Sequence, residues 1–130
     1  MIVLDASAVV ELLLGTQPYG EWIRRRLRRS RDDLHAPHLM DAEVAEALRK
    51  LVLRRELEAG RAVEAVRRLG DLPILRHAHG PYLQRAFEAR DNLSIYNSLY
   101  LMLAAALDAR LLTRDRGLAA VAGARAELFS

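Results

Sequence analysis

The sequence predicts an α/β fold of three layers, α/β/α, in which a mostly parallel central sheet is covered by helices on both faces. Two observations predict it. Short apolar runs alternate along the chain with longer stretches of helical periodicity, the order that βαβ units produce. The chain also places 52% hydrophobic residues in 130 positions, enough for one core and too little length for two, so residues 1–130 read as a single domain.

Each element follows from local pattern. Residues 2–4 are an apolar run that reads as a buried strand ending at Asp5, and residues 6–14 read as a helix with Ser7 in its first turn. Residues 15–18 break that helix with Gly15 and Pro18. A second helix over 19–29 sets Tyr19, Trp22, Ile23 and Leu27 on one side and Arg24, Arg25, Arg28 and Arg29 largely on the other. Residues 34–36 form a short strand stopped by Pro37. A long helix over 39–55 has Val44, Leu48, Leu51 and Val52 at helical spacing, and another over 60–69 carries Val63 and Val66. Residues 73–76 read as a strand, 81–89 as a short helix, and 90–92 as the loop into the best-defined helix. That helix starts at Ser94, a favoured N-cap, and its alanine- and leucine-rich body runs to residue 107. Residues 110–113 form a strand leading into Arg114 and Asp115, a short helix runs to residue 122, and 126–129 give a last edge strand.

Composition narrows the function. No apolar run is long enough to cross a bilayer, and the start has an acid inside its apolar stretch without the basic leader of a secretion signal. The expectation is a soluble, cytoplasmic protein. With no cysteine, disulfides, thiolate zinc sites and cysteine nucleophiles are excluded, which leaves oxygen-ligand metal chemistry. The formal net charge is +3, and Lys50 is the one lysine among 20 basic residues. Arginine binds phosphate through two hydrogen bonds and stacks on bases, which fits an RNA or DNA partner. A GC-rich coding bias that fills solvated helix faces with arginine explains the same count, and charge does not choose between them.

Asp5, Glu43, Asn97 and Asp115 each fall where a predicted strand ends or a predicted helix begins, the edge where open parallel sheets bind ligands. Hard divalent cations such as magnesium and manganese take oxygen ligands of this kind, and a site so built hydrolyses phosphodiesters. Taken singly, each has a better bland explanation: Asp5 and Asp115 as helix caps and Glu43 as a charge in a first turn. Asn97, three residues after Ser94, reads as a capping-box partner. Their joint placement favours the metal site. A phosphatase using Asp5 as nucleophile would need a second acid two residues on, where this chain has Ser7. His77 and His79 alternate so as to share one side of a strand, but no acid or cysteine accompanies them. Like His35 and His38, they read as structural or surface residues. Asp91 reads as an ordinary solvated acid. Arg114 and Arg116 flank Asp115 closely enough to touch an RNA phosphate, with helix surface charge as the equal alternative.

The segments IVLDASAVV, APHLMDAEVAEALRKL and RDNLSIYNSLYLMLAAALDARLLTRDRGLA resemble the PIN-domain ribonucleases, specifically the VapC-type toxins of bacterial toxin–antitoxin pairs. The last segment is the most specific: an aromatic residue before the third acid position, a helix rich in Leu and Ala, and a Leu-Leu-Thr strand ending in Arg-Asp occur in order. The resemblance implies a PIN-like domain and an endoribonuclease that cuts structured RNA with Mg2+ or Mn2+. It places Asp5, Glu43 and Asp115 at acid positions of the site, and Ser7 and Thr113 at small hydroxyl positions beside the metal. It also implies a homodimer and a VapB-type antitoxin whose C-terminal segment lies in a hydrophobic groove. Leu12, Leu13, Leu14, Tyr19, Trp22 and Leu27 offer apolar surface beyond what so small a helix pair needs; core packing explains most of it, and the groove is the second use that the resemblance adds. The sequence departs from the family at Asn97, where the pattern has Asp. Asparagine keeps a carbonyl oxygen but loses the charge and cannot act as a base. The expectation is an impaired ribonuclease on an unchanged fold or, alternatively, an inactive protein that binds RNA or antitoxin without cutting. Asn97 is either the natural residue of a weak or inactive toxin or a deliberate substitution that spares the producing cell, and the sequence does not separate the two.

Overall fold

The computed structural model describes residues 1–129. Ile2, Val3 and Leu4 on β1 (Ile2–Leu4) are wholly buried, as are Leu111 and Leu112 on β4 (Arg110–Thr113), because both strands are covered on both faces and therefore read as unbroken apolar runs. With β2 (Leu34–Pro37), β3 (Ile74–His77) and β5 (Ala126–Leu128) they form one sheet of order β3-β2-β1-β4-β5 in which every neighbouring pair is parallel. From β1 the chain first builds outward through β2 to β3, then returns to lay β4 on the other side of β1. The turn of direction lies between β1 and β4, and in such sheets the crevice beyond the carboxyl ends of those two strands is the ligand site.

Four helices, α1 (Ala6–Leu14), α2 (Tyr19–Ser30), α3 (Leu39–Leu53) and α4 (Ala59–Leu69), pack together on one face. On the other lie α5 (Leu83–Glu88), α6 (Ile95–Leu107) and α7 (Arg116–Ala122), the division that right-handed crossovers require for this strand order. Val9, Leu13, Ile23, Met40, Val44 and Leu48 form the core on the first face, and Tyr100, Leu103 and Leu118 on the second.

Several expectations shift. Strand β2 runs through Pro37 because its pairing with β1 has already ended at His35; Pro37 is matched only with His77, so its missing N–H costs no ladder bond to β1. Helix α3 stops at Leu53, where Arg55 turns left-handed at φ 60°. The Arg55 N–H bonds back to the Val52 carbonyl and the Glu56 N–H to that of Leu51, the paired bonds of a Schellman cap. Val63 and Val66 do not form the buried stripe of α4: they are exposed, and Ala62, Ala65 and Leu69 pack inward, their spacing of three and four serving a closer approach. Core packing takes up most of the apolar surface of α1 and α2, as expected, since Leu13 is buried and Leu12, Leu14, Tyr19 and Leu27 lie against the core; Trp22 is the exception, for it is exposed and shares the outer face of α2 with Arg25 and Arg29 instead of lying opposite them. His77 and His79 do not share a strand, because β3 ends at His77.

The junction of α1 and α2 is tight. Gly15 ends α1 at φ 66°, and a Cβ on Gly20 would lie 2.4 Å from the Gly15 carbonyl carbon, closer than any real contact. Gly20→Ala should therefore cost about 2 kcal/mol or more through overpacking of backbone against backbone. A chemical denaturation midpoint equal to that of the parent would show that the helices separate freely.

His77 meets His35 instead of His79, with His35 Nδ1 and His77 Nε2 2.8 Å apart, a hydrogen bond in which the tautomer decides which ring donates. Burial, helped by His77, pushes His35 below the ordinary imidazole range. The unfolded chain then takes up the proton first as pH falls, so stability is complete above the unfolded value of about 6.5 and declines beneath it toward the folded one. Thermal midpoints should drop between pH about 7.5 and about 5.5 and drop less in His35→Gln. The same slope in both proteins would place the acid sensitivity elsewhere.

Candidate functional site

Asp5 leaves the end of β1 and is 5% exposed. Its Oδ1 accepts from the Ala8 N–H at 3.0 Å, capping α1, and from the Ser7 hydroxyl at 2.5 Å, while Oδ2 accepts from the Thr113 hydroxyl at the end of β4. All three donors are neutral. Burial is the main force on this carboxyl and raises it above the usual carboxylate range; the hydrogen bonds oppose that and the Asp115 charge adds to it.

Thr113 couples the two strands. Its hydroxyl donates to Asp5 and accepts from the Asp115 N–H at 2.9 Å. Asp115 is exposed and caps α7 through Oδ1, which accepts from the Leu118 N–H at 2.8 Å. Its second oxygen accepts from the Asn97 amide at 3.3 Å. Ser94 caps α6 by accepting from the Asn97 N–H at 3.1 Å, which leaves the Asn97 side chain free to reach Asp115; it is not a capping-box partner. Both aspartates thus cap helices where the candidate site lies, and capping does not exclude a further role, since a cap uses one carboxylate oxygen and leaves the other.

Glu43 lies in the second turn of α3, so the role of first-turn charge falls to Asp41. It accepts a 2.6 Å hydrogen bond from the Tyr100 hydroxyl, which reaches it from α6. Burial and the charges of Glu43 and Asp5 push the Tyr100 phenol far up, so it stays protonated as a donor. The sequence reading missed Tyr100, although it sits three residues after Asn97 and hence on the same helix face.

Asp5, Asp115 and Asn97 therefore form one hydrogen-bonded group through Thr113. Glu43 is outside that group: its partner is the Tyr100 hydroxyl, which lies near enough to Asp5 to feel its charge. Among the described residues no three acidic or histidine side chains lie together closely enough to enclose an ion by themselves, and none of Asp5, Glu43 and Asp115 forms an ion pair with Arg or Lys. The donor set is oxygen throughout, with a buried carboxylate beside a like charge and no basic partner. These residues fit a hard divalent cation.

Arg114 is not a free phosphate ligand. It bonds Glu11 at 3.0 Å, lies 3.7 Å over the Tyr19 ring, and donates its backbone N–H to Ser7. Burial raises the Glu11 carboxyl, with Arg114 only partly opposing. This clamp ties the turn bearing Asp115 to α1 and to the start of α2, and nothing in the spacing of Glu11 announced it. Arg116 and Asp91 are exposed.

Comparison with known proteins agrees with this architecture. Residues 2–124 match the PIN domain family. The chain is 41% identical over 127 residues to Ribonuclease VapC1 of Mycobacterium tuberculosis, covering 97% of this chain and 94% of that one. It is 39% identical over 128 residues to Ribonuclease VapC12 of the same organism, covering 98% and 97%. Among solved structures, PAE2754 from Pyrobaculum aerophilum superimposes with a TM-score of 0.73 at 24% identity, over 97% of this chain and 88% of that one. Mycobacterium tuberculosis VapC20, a sarcin-ricin loop cleaving toxin, gives 0.68 at 14% identity, over 93% and 95%. By the extent of the family match and the identity to these relatives, the chain belongs to the PIN-domain family.

Proposed function

We propose that this protein is a divalent-metal-dependent endoribonuclease of the VapC type, acting on structured RNA, attenuated by Asn97 and paired with a VapB-type antitoxin. The observation that carries the reading is the buried Asp5 carboxylate set beside Asp115 at the turning point of the sheet with no basic side chain between them. The likeness to the ribonucleases VapC1 and VapC12 supports ribonuclease chemistry. The family's homodimer and cytoplasmic setting belong to the same reading.

Asp5 and Asp115 would hold Mg2+ or Mn2+, with Asn97 giving a neutral oxygen and Glu43 completing the shell or orienting water. Bound there, the ion would make hydroxide available near neutral pH and offset charge on the phosphate oxygens. The protein's own part is positional. Ser7 and Thr113 fix both Asp5 oxygens, Thr113 also fixes the Asp115 backbone, and Tyr100 holds Glu43 by donating to it. Asn97 weakens the arrangement twice over: it removes one negative charge, and its amide occupies an Asp115 oxygen. That second effect favours the other reading, a PIN protein that binds RNA or antitoxin without cutting.

Without metal, Asn97→Asp should be less stable than the parent, because an amide donor 3.3 Å from Asp115 becomes a like charge. In manganese the order of response reverses. A ligand at a hundred times its dissociation constant stabilises by about 2.7 kcal/mol, so the variant with tighter binding shows the larger rise in melting temperature across a titration. Equal rises would place position 97 outside the ion's reach.

Asn97→Asp should also raise manganese-dependent RNA cleavage by about ten-fold or more, a change needing only ~1.4 kcal/mol of transition-state stabilisation. Asp5→Ala in the Asn97→Asp background serves as the control for contaminating nuclease. If neither the parent nor Asn97→Asp cuts faster than this control, the ribonuclease reading falls and the non-cutting one stands.

A further inference from the structure

We propose that the outer face of α2 is a docking strip for an unpaired segment of RNA, an inference that rests on the ribonuclease reading and extends it beyond the catalytic edge. Trp22, Arg25 and Arg29 recur at spacings of three and four on one helix face, with Arg28 beside them. Trp22, Arg25, Arg26 and Arg29 line a shallow pocket of about 260 Å³. Trp22 stacks at 5.1 Å on Phe129, which fixes its ring, yet it remains 37% exposed.

Four of the five arginines of α2 divide into two kinds. Arg26 is held by both oxygens of Glu127 at 2.7 Å and serves to fasten the helix to β5. Arg25 has only an exposed pair with Glu21, a contact worth little in water. Arg28 and Arg29 have no ion-pair partner among the described residues. The helix dipole favours cations in the last turn and so accounts for Arg28 and Arg29, but for neither Arg25 nor the exposed tryptophan. Guanidinium forks for phosphates and a rigid aromatic plane for a base are the two elements of single-strand recognition.

The position suits a substrate track. Tyr19, the first residue of α2, lies under Arg114, whose neighbour is Asp115, so the strip starts beside the candidate site. From there α2 extends for about 18 Å toward the opposite edge of the sheet, where Asp32 pairs with the Met1 amine. RNA bound along it would be anchored while another part of the same molecule enters the acidic edge.

The chain has one tryptophan, so its fluorescence reports this site alone. A short single-stranded RNA oligonucleotide added in EDTA, which prevents metal-dependent cutting, should quench Trp22. Replacing Arg25, Arg28 and Arg29 together by glutamine should weaken binding by about ten-fold or more near 0.1 M salt. It should also lower the slope of log affinity against log salt by about 2, since each single-strand phosphate contact contributes roughly 0.7. The corresponding triple lysine variant should keep most of the slope, and a circular-dichroism melt of each variant confirms folding. Poly-glutamate should bind more weakly than RNA. No quenching, an unchanged affinity in the glutamine variant, or tighter binding of poly-glutamate would overturn the proposal, the last by marking an acidic protein partner instead. Because binding is read without metal, failure here leaves the cleavage test untouched, and loss of cleavage leaves this result standing.

Discussion

A carboxylate buried without a counter-charge sets the terms for the rest of this protein. Asp5 sits where the apolar β1 meets the crevice opened by the return of the chain to β4, and only neutral donors hold it. Keeping it there requires the Ser7 and Thr113 hydroxyls in place, hence the register of β1 with β4, which matches Leu4 with Leu112 and so puts Thr113 level with Asp5. The fully buried Leu4, Leu111 and Leu112 stabilise that register, because a slip of one residue would turn the apolar side chains to the wrong face.

The second element of control is the Glu11, Arg114 and Tyr19 clamp. Arg114 precedes Asp115 and is engaged on three sides, so the turn between β4 and α7 cannot move independently of α1 and α2. The close approach of Gly15 and Gly20 fixes the angle at which α2 leaves α1. Together these contacts connect the position of Asp115 to helices on the far face of the sheet.

Much of the fold was legible in the sequence because buried parallel strands and amphipathic helices leave strong periodic signals. Residues 2–4 and 110–113 were placed correctly for that reason, as was the helix capped by Ser94. The inner face of α4 was not, since alanine carries little hydrophobic signal and the strongly apolar Val63 and Val66 are exposed. The candidate site was visible as strand-end acids, but the roles of its supports were not. Tyr100 reads as one more apolar residue in a buried helix until its hydroxyl is seen to reach α3, and the Arg114 clamp joins residues 103 positions apart. Contacts of that separation are set by packing, which no local pattern encodes.

The Asn97 amide bridging to Asp115 has a genetic consequence. Asparagine and aspartate share their shape, and their codons differ only in the first base, so restoring the acid needs one transition and no compensating change in the core. On the proposed reading, and with Asn97 as the natural residue, an attenuated lineage would keep the intact scaffold of a killing enzyme and throw off active revertants at the ordinary mutation rate. Those revertants would survive only while an antitoxin was still being made, which ties the retention of a disarmed gene to the persistence of its partner.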